Sequence, residues 1–140
     1  MIPTRYMRSV EEDDSNMDKM MFLKSAFETH ESPIVIGDTD YTVLFMNEAA
    51  GKYYSKFGGK SIEGRSLRPF ITDEWFSQLD MCMEWFKESV DNNTVFSSHK
   101  EEENHDVYVC AVRDDEKNLI GFCVRHNCRT PESGKPYDID

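Results

Sequence analysis

The stretch PIVIGDTDYTVLFMNEAAGKYYSKFGGKSIEGRSLRPFI, residues 33–71, decides the fold. Pro33-Ile34-Val35-Ile36 is too short for a helix and rich in β-branched side chains, so it reads as a strand. Gly37-Asp38-Thr39-Asp40 collects residues that accept left-handed backbone or bond their own main chain, which makes a turn. Thr42-Val43-Leu44-Phe45-Met46 returns as the partner strand and closes a hairpin. Asn47 is a good N-cap, and Glu48 places negative charge at the positive end of the next helix. That helix is expected over residues 48–57 and to stop at Gly58-Gly59, where left-handed backbone costs little. Ala50, Tyr53, Tyr54 and Phe57 form its apolar side.

Upstream, Met20, Leu23, Phe27 and His30 recur at spacings of three and four, one face of a helix that Met17 extends by a turn. Residues 1–16 carry Glu11-Glu12-Asp13-Asp14 and no apolar period, which reads as a tail without structure. Downstream, Thr72-Asp73-Glu74 opens what the pattern makes the longest helix. Trp75, Leu79, Cys82 or Met83, Phe86 and Val90 lie along one face until Asp91-Asn92-Asn93 stops it. Met81 and Trp85 widen that face, as for a helix touching both a sheet and a second surface.

Three strands follow. The first covers residues 94–100 and ends in the acidic turn Glu101-Glu102-Glu103-Asn104. In the second, residues 106–113, Val107, Val109 and Ala111 alternate with Tyr108, Cys110 and Val112. The last covers residues 119–125, with Ile120, Phe122 and Val124 on one side, and residues 129–140 form a polar tail. The sum is an α+β domain over residues 17–128: a five-stranded antiparallel sheet with helices on one face and an N-terminal flanking helix.

This order resembles the PAS domain, the sensory α/β fold of many signalling proteins. The resemblance rests on the strand pair, on Met46-Asn47-Glu48-Ala49-Ala50 at the end of its second strand, and on Ile62-Glu63-Gly64-Arg65-Ser66-Leu67 after the helix. It covers roughly residues 27–126. It implies a module that holds a small molecule between the long helix and the sheet and signals through dimer or partner contacts. Phe76, Leu79, Met83 and Phe86 would line the cavity from the helix, and Val109, Phe122 and Val124 from the strands. The same side chains read more plainly as core. Met20, Leu23 and Phe27 would carry a dimer contact, or else cover their own sheet. Arg65 and Arg68 are candidates to meet an acidic ligand group, against the plainer reading as solvated loop residues.

The resemblance also tests cofactors. Flavin-binding light sensors of the family carry a reactive cysteine where Leu67 stands, so adduct chemistry is not expected. Haem-binding members usually place the axial histidine on the long helix, and residues 72–93 contain none. The cofactor is left unknown.

For other chemistry, Gly58-Gly59-Lys60 lacks P-loop spacing, and no nucleophile motif surrounds a serine or cysteine. Cys123, His126 and Cys128 offer soft ligands within six residues, but a straight strand turns Cys123 and Cys128 to opposite sides, and no metal site is assigned. The four cysteines read as free thiols within apolar segments. No catalytic residue is assigned. The rival functions are a small cone-shaped isomerase or dehydratase with a buried acid or histidine aimed into its cavity, and a ligand-free dimerisation module.

The chain of 140 residues carries 27 acidic against 16 basic side chains, a net charge of −11. That disfavours nucleic acid and anionic membrane surfaces as partners, since both need phosphates neutralised. A homodimer or a separate signalling protein is the expected partner, because little chain remains for an effector domain. Nothing approaches the roughly 18 consecutive apolar residues of a membrane span, and the default location is cytoplasmic.

Overall fold

The computed structural model describes residues 4–137, with side chains described from Asn16 onward. The elements run α1 Thr4–Glu28, β1 Ile34–Asp38, β2 Val43–Met46, α2 Glu48–Tyr53, α3 Asp73–Glu88, β3 Thr94–Lys100, β4 His105–Arg113 and β5 Leu119–Cys128. Three short 3-10 turns, Ser55–Phe57, Gly59–Ile62 and Arg68–Phe70, fill the connection from α2 to α3. All five strands pair antiparallel in the order β2-β1-β5-β4-β3, so the last strand lies in the middle beside the first. This is the five-stranded α+β architecture that the hydrophobic pattern predicts.

One row crosses the whole sheet: Met46, Val35, Val124, Val109 and Val95 are successive register partners. These side chains share one face, because strand neighbours point alternately to the two sides. On that face the buried residues form two clusters. One gathers Val35, Val43, Met46, Ala50 and Ile62 beneath α2. The other gathers Leu79, Met83 and Phe86 of α3 on Val109 and Phe122. Leu67 and Val124 touch both. The next row, Phe45, Ile36, Cys123, Cys110 and Thr94, faces the other way.

Asn47 ties three elements together and is fully buried. Its Oδ1 accepts from the N–H groups of Ile34 and Ala50 at 3.0 and 2.9 Å, starting β1 and capping α2. Its amide nitrogen donates to the carbonyls of Phe27 and Ser32 at 3.1 and 2.9 Å, and at 3.4 Å to His30, which anchors the exit of α1. The site needs an acceptor for two N–H groups and, on a separate atom, a donor of more than one hydrogen bond, which the carboxamide of Asn supplies on a short side chain.

Several boundaries differ from the sequence reading. The longest helix is α1, 25 residues against 16 for α3. It continues back to Thr4 through the acidic run Glu11–Asp14, a stretch with no glycine or proline to break it. Helix α2 stops at Tyr53 rather than Phe57, and the chain tightens into a 3-10 turn before Gly58, whose φ is 123°. Helix α3 ends at Glu88 rather than Val90, where Arg113 from β4 donates to the carbonyls of Phe86, Ser89 and Asn92 at 2.7, 3.1 and 3.1 Å. That cap comes from a residue far away in sequence, so no local signal marks it. Strand β5 continues past Arg125, because the N–H of His126 still reaches the carbonyl of Pro33 at 3.1 Å.

Close backbone approach explains Gly37. A Cβ added there would sit 2.4 Å from the ring of Phe122, which is fully buried.

Replacing Asn47 with Ala strands two buried N–H groups and removes a cap. Urea unfolding is expected to show a loss of about 2–4 kcal/mol. An unchanged midpoint would mean that water replaces the side chain without cost.

Candidate functional site

The two clusters leave space between them. A cavity of about 900 Å³ lies there, bounded by the sheet, by α3 and by the α2–α3 connection. The sheet contributes Val35, Val43, Val107, Val109, Phe122 and Val124, and α3 contributes Trp75, Gln78, Leu79 and Cys82. Tyr53, Tyr54, Phe57, Ile62, Leu67 and Ile71 close it from the connecting segment. Toward the β3–β4 turn the lining becomes polar, through Ser97, Ser98, His99, Lys100 and the exposed Glu101, Glu102 and Glu103. The aromatic pair Phe57–Trp75 stands at this side with ring centroids 5.4 Å apart, and Lys100 reaches over Trp75 at 5.6 Å.

Behind the apolar wall is a polar cluster. The Tyr54 hydroxyl and His126 Nε2 are 2.7 Å apart. Burial holds the Tyr54 phenol well above its usual range, so it keeps its proton. Burial also pushes His126 down to about 4, helped by the nearby His105 and Lys100, so the imidazole is neutral near pH 7. The ring of Tyr53 meets His126 edge-on at 4.5 Å, and His105 lies 5.7 Å from His126. Nδ1 of both histidines is buried without a protein partner. His126 is therefore part of the inner face, continuing the alternation of Phe122 and Val124.

The sequence-predicted residues divide. Leu79, Val109, Phe122 and Val124 line the cavity. Met83 and Phe86 do not: both point into the packed cluster between α3, β4 and β5, one turn past the opening. Phe76 is turned away as well, edge-on to Tyr41 at 4.9 Å with the Arg68 guanidinium 4.6 Å above its ring. Arg68 also pairs with Asp73 at 2.6 Å, and Arg65 stacks over Phe70 at 4.9 Å, so neither arginine lines the cavity. Tyr53, Tyr54 and Trp75 were readable only as apolar helix positions. Their role as wall depends on how the connecting segment folds back.

Met20, Leu23 and Phe27 are 70, 59 and 41% exposed, and Met17, Met21 and Phe22 are exposed beside them. Over residues 17–23 α1 therefore does not lie on its own sheet. Among the described residues α1 is held at its end, by Asn47, by Phe27 against Phe45 at 6.5 Å, and by Glu28 paired with Lys60 at 2.7 Å.

Cys123 belongs to the outward row and His126 to the inward face, so they cannot join one ion. Among the described residues no three His, Cys, Asp or Glu side chains gather as metal ligands. Asp106 binds Arg129 at 2.7 Å and His99 at 2.9 Å, and these partners hold its carboxyl below the usual range. No helix among the described residues is long and apolar enough to cross a membrane.

No family model and no curated protein sequence matches the chain. Solved structures do. A C-terminal domain from Streptococcus mutans is similar at 16% identity with a TM-score of 0.61, over 76% of this chain and 81% of that one. The PAS domain of a protein from Colwellia psychrerythraea is similar at 9% identity and TM-score 0.55, over 78 and 95%. The PAS domain of BvgS from Bordetella pertussis is similar at 17% identity and TM-score 0.51, over 83 and 90%.

The buried histidine sets a pH dependence. An unfolded chain takes up a proton near the ordinary value of 6.5, while the folded one resists until about 4. The stability contribution is full above that ordinary value and is lost as the pH falls toward 4. Urea unfolding is expected to lose about 2 kcal/mol between pH 7 and pH 4.5 from this group. His126→Phe should flatten that part of the profile, and an equally steep profile in the variant would assign it elsewhere.

Proposed function

We propose that this chain, whose fold is that of the PAS domain, is a sensory module that holds a small molecule in the cavity between α3 and the sheet. The observation that carries the reading is the division of the core. Leu79, Val109 and Phe122 are among the best-buried residues of the chain, yet each also borders an opening of about 900 Å³. A protein interior is normally filled to crystal-like density, and a space of this size is within the range of ligand pockets. The walls are aliphatic and aromatic, with polar groups at one end, which suits a largely apolar molecule with one polar end.

The output is association. The apolar residues of α1 and, at the β2 side of the outward face, Phe45 and Ile36 are exposed or half-exposed, and we assign these to a contact with a second copy of the chain that leaves Cys110 and Cys123 outside it. Such a contact would run through Met20, Leu23 and Phe27. The net charge of −11 favours a protein over nucleic acid or an anionic lipid surface as partner, and a cytoplasmic location is part of the same proposal. The isomerase or dehydratase alternative requires a buried acid or histidine aimed into the cavity. His126 is buried but stands behind Tyr54 and does not border the opening, and the lining His99 is paired with Asp106. The lining acids Glu101, Glu102 and Glu103 instead stand exposed on the turn, which favours binding over proton transfer.

Native mass spectrometry with an absorption spectrum on freshly purified protein tests the first half. The expected result is a mass increment that is lost on denaturation, with visible bands if the molecule is a flavin or haem. Val109→Phe, which fills the cavity, should abolish the increment. Apoprotein mass in both proteins would remove the ligand reading and leave a dimerisation module.

Sedimentation velocity tests the second half. Leu23→Glu places a charge in the proposed seam and should weaken association about tenfold or more, since burying an unpaired charge costs over 1.4 kcal/mol. A monomeric wild-type chain at all concentrations would contradict the proposed contact.

A further inference from the structure

The outward face of the sheet carries a pair of thiols for which neither the cavity nor the helices have a use. Cys110 of β4 and Cys123 of β5 are direct register partners in the two most central adjoining strands. Both are free and half-buried. The other two thiols are placed differently: Cys82 is on α3 in the cavity wall, and Cys128 ends β5 opposite His105. Among the four, Cys110 and Cys123 alone face each other across a ladder.

We propose that Cys110 and Cys123 form an oxidisable dithiol, which a peroxide converts into a reversible cross-strand disulfide. The strand geometry permits it. The N–H of His126 bonds to Pro33 on the β1 side. By alternation, the peptide groups of Cys123 turn to β4, so this is a hydrogen-bonded pair with Cα atoms about 5.5 Å apart. That separation lies inside the range that disulfides span, about 4.4–6.8 Å. The side chains stand parallel on a pleated face and must lean together to bond. A bond closed this way, on a half-exposed surface, is of the strained kind that thiol exchange reopens readily.

The chemistry balances with one peroxide. Burial, then the neighbouring Cys110, pushes the Cys123 thiol up to about 11, so Cys123 is a poor first nucleophile. The Cys110 thiolate attacks one peroxide oxygen, the O–O bond breaks, and hydroxide leaves and takes up the proton Cys110 released, giving sulfenic acid and water. The Cys123 sulfur then attacks the Cys110 sulfur. The S–S bond forms, the S–O bond breaks, and the departing hydroxide takes the Cys123 proton as a second water. Two thiols are oxidised and one peroxide is reduced. This inference is independent of any ligand in the cavity.

The test uses the full chain, folded, treated with hydrogen peroxide, alkylated and digested with trypsin without reductant. Cleavage after Lys100, Arg113, Lys117 and Arg125 separates the two cysteines onto peptides 101–113 and 118–125. The expected product is these two peptides linked, lost on reduction, and lost in Cys110→Ser and in Cys123→Ser. It should persist in Cys82→Ser and Cys128→Ser. Mixing isotope-labelled and unlabelled protein should give no mixed-mass link, since both thiols belong to one sheet. Recovery of Cys110 and Cys123 on separate peptides, alkylated or as sulfinic acids, would overturn the proposal. So would links made only to Cys128 or only between chains.

Discussion

The side chain of Asn47 is the interaction on which the arrangement depends. Five backbone groups, from α1, the loop after it, β1 and α2, converge on one buried amide, so the exit of α1, the start of β1 and the cap of α2 cannot move independently. The cost of leaving those groups unpaired in the interior exceeds what local packing at such a junction returns, which fixes the path of the chain there. Among the described residues, the rest of α1 has no comparable tie. The outcome is a helix clamped at one end and bare along its apolar side.

The same junction borders the cavity. Helix α2 is short, and Tyr53 and Tyr54 at its end are cavity wall as well as partners of His126. In the proposed reading, a molecule that presses on these rings acts on α2, whose cap is Asn47, and through the same amide on the root of α1. The opposite wall is stiffer. Arg113 locks the end of α3 to β4, and Met83 and Phe86 are buried behind Leu79 in one cluster with it. In the same reading, the compliant side of the cavity is the side that leads to α1.

Much of this was legible in the chain itself. The hairpin of β1 and β2, the cap at Asn47 and the strict alternation of Val107, Val109 and Ala111 follow from local rules, although β1 runs on through Gly37 and Asp38, which read as turn. Those rules also place Leu79, Val109, Phe122 and Val124 toward the interior. They cannot tell a residue beside a space from one in a filled core, since both need the same apolar period. Met83 and Phe86 were for that reason grouped with Leu79, although one turn of helix separates filled from open. Long-range partners were illegible for the same physical reason. Arg113 ends α3 from a strand distant in sequence, and His126 turns inward only because β5 outlasts its apolar pattern. The facing of Cys110 and Cys123 depends on strand register, which neither segment carries alone.

Hydrogen exchange read by mass spectrometry, on protein as purified and after unfolding, dialysis and refolding, tests the link from cavity to α1 most directly. The account predicts faster exchange after stripping in two places together: along Leu79–Phe86 of α3, and at the junction where Asn47 holds Phe27, His30 and Ser32. Identical exchange before and after, or a change confined to α3 with the junction unmoved, would contradict it.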